Sequence, residues 1–382
     1  KTRTTYNGNG LVAAVERTFA GRRTVSIAID YDGNGRPVAY TDQRGRVKRL
    51  DRDSLGRVVK ELFPDGTGVG YGFDPTGQVA KVLDQNGHAL AFEWGRFGIE
   101  SKQTAAGQLT DYVYDADGRL ARIDSRFPDA KAADRSIALA YDGLDRLISV
   151  NYGNGQIETM AYDSWGRVTE ASSCGSKASL KYDYFGRLVE KREGGLTETY
   201  AYNVWNQRMG RVTKTGAGTL TESRIYDRYG RLSQIKTEKG LIEYAYNKKN
   251  QLVRQTINGT PVEYAYTPEG WLAGKILGGS LNPVSTLKYF YAPDGQITGR
   301  SVDGKIQQYR YDAKDQLTAV LDADNKPVET YAYDPAGNIL KKTVGGVTTA
   351  YVYDKANLLV SSEEDGILTT RYRYDAAGRL VE

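Results

Sequence analysis

Histidine and cysteine each occur once in this 382-residue chain, at His88 and Cys174. A zinc centre ligated by nitrogen and sulfur cannot be assembled from that pair, and a single cysteine excludes a disulfide within the chain. His88 ends the turn Asp84-Gln85-Asn86-Gly87-His88. It stands there as a cross-strand partner for Asp84, with no nearby nucleophile that it could serve as a base. Cys174 lies among small residues, Ala171-Ser-Ser-Cys-Gly-Ser176, and reads as an incidental thiol in a connecting turn. Carboxylates are plentiful, 47 Asp plus Glu, so composition leaves open a glycosidase pair or weak calcium binding at Asp322-Ala-Asp324-Asn325. That segment lacks a calcium-loop signature, and Asp recurs so regularly that a turn role explains it better than catalysis. No catalytic residue, metal or cofactor is therefore assigned.

The elements that carry these aspartates come from a repeat. The pattern Tyr-Asp-x-x-Gly-Arg-Leu/Val occurs as Tyr114, Asp115, Gly118, Arg119; Tyr162, Asp163, Gly166, Arg167; Tyr182, Asp183, Gly186, Arg187; Tyr226, Asp227, Gly230, Arg231; and Tyr374, Asp375, Gly378, Arg379. Degenerate copies begin at Tyr6, Tyr31, Phe73, Tyr141, Tyr202, Tyr246, Tyr266, Tyr291, Tyr311, Tyr333 and Tyr353, with steps of 20 to 25 residues from Tyr141 onward. A second turn signal falls half a period later, as at Gly155, Gly195, Gly259, Gly304 and Gly366. In the first third both turns can take the acidic form, as at Asp32, Asp42, Asp53, Asp74 and Asp84. Turns every ten or so residues predict β-hairpins, pairing successively into one antiparallel ribbon with almost no helix.

The motif has a physical reading. Asp-x-x-Gly suits a type I turn whose Asp bonds the backbone two residues on, while Gly takes positive φ as a bulge. Where that Gly is replaced, Asn206, Asn250, Asn357, Asp145 or Asp315 stands instead, the residue types that best tolerate left-handed backbone. This hairpin sets Tyr182 opposite Leu188, and Asp183 opposite Arg187 on the other face. All nine units with Arg at the sixth position have Asp at the second, whereas units without the acid carry Leu11, Gln207, Gln251, Trp271 or Gln296. Nine Tyr-x-Tyr doublets hold 18 of the 29 tyrosines, so Tyr-on-Tyr ladders along the ribbon are expected to replace a second packed layer.

The rest of the composition agrees with a large β structure. Net charge is +5 and dispersed, which gives no basic arm for nucleic acid, and mean hydropathy is −0.56. No apolar run is long enough for a spanning helix, so no membrane insertion is expected. The chain opens at Lys1 without Met or a signal-peptide pattern, which leaves the compartment unread from this end. Three connections exceed the period, Asp124 to Arg135, Thr213 to Thr219 and Gly278 to Pro283, and long loops on a regular scaffold tend to carry recognition. Trp94, Trp165, Trp205 and Trp271 fall mostly in turns. They are candidate surface-binding residues for a glycan or a protein, or packing for neighbouring turns.

From Tyr6 to Leu380 the unit resembles the Rhs, or YD-repeat, family. That family includes shell components of insecticidal toxin complexes, bacterial Rhs polymorphic toxins and teneurin YD shells. The resemblance implies a β-ribbon spiralling into a hollow shell, in several members around an unfolded or inactive C-terminal toxin; in others it implies cell-surface association, with carbohydrate binding suggested. Toxin-bearing members follow their repeats with a plug and a variable domain. Here the sequence stops at Glu382 after an ordinary repeat, and Asp334-Pro-Ala-Gly-Asn338 sits in register as an ordinary turn.

The expectation is thus one all-β domain over 1–382, with residues 1–25 a less regular first unit and no plug or toxin domain. About 17 two-stranded units at ~4.8 Å per strand give a ribbon of roughly 160 Å. Closed into one ring, it would be about 50 Å across and only ~20–25 Å tall, a collar or open segment. The leading function is a non-enzymatic scaffold of a larger secreted or cell-surface protein, enclosing or presenting a cargo or toxin domain. Its partners would be the remainder of that polypeptide or a cap for its open ends. A carbohydrate-binding or adhesive repeat protein is the alternative, and an enzyme hidden in the repeats ranks last.

Overall fold

The computed structural model describes residues 2–19, 22–127 and 135–382. They form thirty-five strands, β1 (Thr2–Tyr6) through β35 (Ile367–Arg371), and each strand pairs antiparallel with the next in one sheet. The described residues contain no helix. No described side chain reaches complete burial, and the buried apolar set is small, including Ala39, Ala319, Val320 and Leu321. A single sheet with both faces open has no second layer, so its stability must come from neighbour-to-neighbour contacts along the ribbon.

The unit containing β17 (Ser176–Tyr182) and β18 (Leu188–Glu193) shows how the sequence makes the hairpin. The Asp183 N–H donates to the Arg187 carbonyl at 2.9 Å, and the Gly186 N–H donates to the Asp183 carbonyl at 3.0 Å. Gly186 has φ 80°, and the five substitutes Asp145, Asn206, Asn250, Asp315 and Asn357 all lie between 61° and 65°. Tyr182 pairs with Leu188, but Lys181 pairs with Glu190, leaving Val189 as an extra residue. The same shift recurs at Tyr162, Tyr226 and Tyr246. A bulge bends its strand and raises the local twist, so each motif adds curvature at the same edge of the ribbon. On the other edge six of the described returns, among them Asn258-Gly259 and Asp303-Gly304, are two-residue turns with both residues at positive φ, the type I′ geometry that matches strand twist.

The ribbon therefore has a motif rim and a return rim, and its curvature brings them together. Return-rim turns Asp42–Arg46 and Asp84–His88 meet motif-rim turns Asp312–Gln316, Asp334–Asn338 and Asp354–Leu358. Both Arg46 terminal nitrogens reach Asp315 at 2.9 Å, Arg44 reaches Asp315 at 2.9 Å and Gln296 at 2.7 Å, and Arg44 also pairs with Asp294. Lys314 pairs with Asp65 at 2.8 Å, Asn86 donates to Asp334 at 2.9 Å, and Asn357 donates to Asp84 at 2.9 Å. These partners lie 248 to 273 residues apart, a span of 23 to 25 strands.

At ~4.8 Å per strand the circumference is about 115 Å, roughly 37 Å across for untilted strands. The expected single ring of about 50 Å is corrected accordingly: the ribbon closes sooner, overlaps itself and continues as a spiral of about one and a half turns. The earlier figure spread every strand around one circle, whereas the bulges curve the ribbon more tightly than that.

Candidate functional site: the motif rim and its turns

The motif Asp is held within its own turn, while Arg and Tyr bond beyond their hairpin in most of the full-motif units. Asp183 Oδ1 accepts the N–H of Phe185 at 3.0 Å and of Arg187 at 2.9 Å, while Oδ2 accepts Arg187 Nε at 2.6 Å. Asp115, Asp163, Asp227 and Asp375 make the same fork with Arg119, Arg167, Arg231 and Arg379. The backbone N–H of Arg167, ahead of its guanidinium, holds the Asp163 carboxyl below the usual range despite some desolvation. For Asp227 the Arg231 side chain is the leading cause of the same downward shift.

The Arg then reaches the next hairpin. Arg187 donates to the Asn203 carbonyl at 3.0 Å and lies 4.9 Å from the Tyr202 ring centroid. Arg146, Arg167 and Arg231 repeat both contacts, over Tyr162, Tyr182 and Tyr246. The motif Tyr reaches back in return. Tyr182 donates its hydroxyl to the Val168 carbonyl at 2.8 Å, and Tyr114, Tyr162 and Tyr226 donate to Ile99, Leu147 and Arg208. Tyr374 pairs with Leu380 in an isolated bridge. Where the preceding unit carries Arg, these contacts stand in place of the expected Tyr-on-Tyr stacking: the motif ring is covered by that guanidinium, and its hydroxyl is clipped to that unit's backbone.

The four tryptophans separate into two kinds. Trp94 stands in a Tyr slot, and its indole N–H donates to the Val79 carbonyl at 2.8 Å. Trp271 stands in an Arg slot, and its ring lies 5.2 Å from Tyr291. Both are half-buried and serve the ribbon's own packing rather than an open surface. Trp165 and Trp205 occupy turn tips and are exposed. Leu144, Phe185 and Tyr229 hold the equivalent tips, and grooves of about 650 and 670 Å³ separate the fingers around Phe185, Trp205 and Tyr229.

Other sequence candidates are placed plainly. His88 Nδ1 is 3.6 Å from Asp84 Oδ2, and Cys174 is an exposed turn residue with φ 49°. Asp322 binds its own turn's N–H groups at Asp324 and Lys326. Among the described residues no group of three His, Cys, Asp or Glu is placed to hold a metal ion, and no helix is long and apolar enough to cross a membrane. Of the three long connections, residues 128–134 lie outside the described residues. The Thr213–Thr219 segment is not a loop, because Thr213 pairs with Leu220 and Thr215 with Gly218 in an extended hairpin. Gly278–Pro283 is a true turn with Leu281 fully outward.

Comparison with known proteins follows the same pattern. The Teneurin YD-shell model matches residues 262–382, and the RHS Repeat model matches residues 31–67 and 141–173. The chain is 33% identical to the tRNA nuclease WapA of Bacillus subtilis over 148 residues, 35% of this chain and 6% of that protein. It is 24% identical to double-stranded DNA deaminase toxin A of Burkholderia cenocepacia over 193 residues, 50% of this chain and 11% of that one. It thus spans a small part of either relative.

Among solved structures, TcdB2-TccC3-Cdc42 superposes with a TM-score of 0.63 at 14% identity, covering 99% of this chain and 25% of that one. The Photorhabdus luminescens Tc holotoxin pore gives 0.62 at 14%, with the same coverage. These likenesses establish the fold. Repeat chemistry, hairpin register and both family models agree, and the chain belongs to the Rhs/YD-repeat family.

Proposed function

We propose that residues 1–382 act as one non-enzymatic β-spiral domain, a shell segment of a larger secreted Rhs-type protein that encloses or presents another part of that protein. The observation carrying this reading is the seam: the ribbon passes a full turn and lays its return rim on its motif rim through Arg46–Asp315, Lys314–Asp65 and Asn357–Asp84, so it builds a wall around a lumen. The chemistry-capable carboxylates support it as well, because the motif aspartates are engaged by their own turns and arginines. The activities in the relatives' names belong to proteins of which this stretch matches 6% and 11%. Secretion rests on the family resemblance.

A protease-protection experiment tests enclosure. The chain is produced with an unstructured C-terminal tail carrying one cleavage site, and cleavage is timed against the same fusion bearing Arg46→Ala and Asp315→Ala. Slower cleavage of the intact-seam protein is expected. Equal rates with the seam intact and opened would overturn the reading.

A further inference from the structure

Three consecutive return-rim turns meet the later coil at the seam, and the middle one departs from its neighbours. Asp42–Arg46 and Asp84–His88 open on an aspartate that binds its own turn. The turn between them makes the same backbone bonds but opens on Phe63, whose N–H donates to the Thr67 carbonyl at 2.8 Å and whose carbonyl accepts the Gly66 N–H at 2.9 Å. Asp65 takes over both polar duties, accepting the Thr67 N–H at 3.0 Å and pairing with Lys314 across the seam at 2.8 Å. An aromatic ring therefore stands where the flanking turns place a carboxylate, beside the Asp312–Gln316 turn of the later coil.

A cleft of about 420 Å³ opens between the two coils at this point, a size within the ~300–1,000 Å³ of small-molecule sites. Ile27, Tyr40 and Phe63 wall it from the earlier coil, and Ala313, Lys314 and Asp315 from the later one. Among the described residues neither Tyr40 nor Phe63 pairs with another aromatic ring, which leaves both rings to line the cleft. The polar groups fall into two sets. Every charged side chain on the lining is paired: Arg46 with Asp42 and Asp315, Lys48 with Glu61 at 2.5 Å, and Lys314 with Asp65. The Tyr40 hydroxyl and the Gln85 side-chain amide, both neutral, have no hydrogen-bond partner among the described residues. A charged guest would have to break a pair or sit unmatched beside it, which is costly away from water. A neutral ring keeps the pairs and can use the two free groups.

We propose that the cleft is a binding site for a small neutral aromatic molecule bearing a hydroxyl or carbonyl group. Both coils supply walls, so the site is whole only in the closed spiral, and its ligand ties one coil to the next. This holds whether or not the spiral encloses a cargo.

The probe is β-naphthol at neutral pH, with β-naphthoate and β-naphthylmethylammonium as anionic and cationic counterparts of similar shape. Isothermal titration calorimetry should show saturable, one-to-one binding of β-naphthol, and affinities at least about tenfold weaker for the two charged compounds. Phe63→Ala removes a wall and keeps the Asp65–Lys314 pair, while Ala313→Leu fills the cleft from the later coil. Each should weaken β-naphthol binding about tenfold or more with circular dichroism unchanged. Because the ligand binds the closed spiral alone, amide hydrogen exchange across residues 312–316 should slow by about a hundredfold at a free concentration roughly 100 times Kd. No saturable binding, charged counterparts that bind equally well, a filled cleft with unchanged affinity, or exchange indifferent to saturation would each overturn the proposal.

Discussion

Arg187 belongs to two hairpins at once. Its guanidinium grips Asp183 in its own turn, while one terminal nitrogen and its flat face engage Asn203 and Tyr202 in the next. The first contact was legible in the sequence, since partners four residues apart across a known turn must meet. The second was not, because its spacing of 15 or 16 residues gains meaning only once neighbouring hairpins are laid side by side. The units with Asn203–Gln207 and Asn247–Gln251 keep both contacts in neutral form. Asn203 donates to Gln207 at 2.8 Å, and Gln207 in turn donates to the Gly230 carbonyl at 2.8 Å. Asp183→Asn alone should therefore lower the unfolding midpoint, by leaving Arg187 without its acid, and adding Arg187→Gln should recover part of the loss; a double variant no better than the worse single one would refute the coupling. Tyr246→Phe removes the 2.9 Å hydroxyl bond to the Leu232 carbonyl but keeps the ring. Denaturant titration should show a cost of about 0.5–1.5 kcal/mol.

At the scale of the element, turn type and bulge divide the work. The sequence identified the positive-φ residue of the motif turn from its Asn and Asp substitutes, and all five lie there. It did not reveal that the residue after the Tyr–Leu pair is bulged, because Val189 is as apolar as any strand neighbour and a one-residue slip leaves no compositional mark. The Thr213–Thr219 segment was misread for a related reason: a longer spacing between motifs fits a loop or longer strands equally well, and β-branched Thr213, Thr219 and Thr221 favour strands. The turn chemistry makes a direct prediction at Asn250, where φ is 65°. Asn250→Val should cost about 1–2 kcal/mol, the penalty of a side chain in left-handed backbone. Asn250→Gly should leave the midpoint nearly unchanged, and an equal loss from both would place the cost in the Asn side chain, which Arg231 also contacts.

The whole molecule is a spiral because many small bends add up, and no local pattern could state where the sum would close. The sequence did show that the early return turns carry the acidic form at Asp42 and Asp84, unlike most later ones. Its purpose appears only in the coil: those are the turns on which Asp312–Gln316 and Asp354–Leu358 rest. Asp315 sits at the centre, its carboxyl held below the usual range first by the Arg46 side chain and further by Arg44 and Gln296. A carboxyl whose folded pKa is depressed contributes stability that is complete above its unfolded value, near 3.9, and lost as pH falls through the folded value. Tyr331 marks the opposite limit. The bond to Glu329, with burial, pushes it up to about 12, so its contribution is complete below about 10 and lost as pH rises from there to 12.

The seam pairs are partly exposed and each is individually weak, but releasing several at once frees the last quarter of the ribbon, which has strand neighbours and no other layer. Arg46→Ala with Asp315→Ala should therefore leave the β-sheet circular dichroism intact while raising the radius of gyration in small-angle X-ray scattering. The wild-type protein should expand in the same way on acidification below pH 4, before its hairpins melt, and high salt at neutral pH should move both proteins toward a common, looser value. If the double variant kept the wild-type radius, the remaining seam contacts Lys314–Asp65, Asn86–Asp334 and Asn357–Asp84 would be sufficient to hold the coils, and Arg46–Asp315 would set only the register between them.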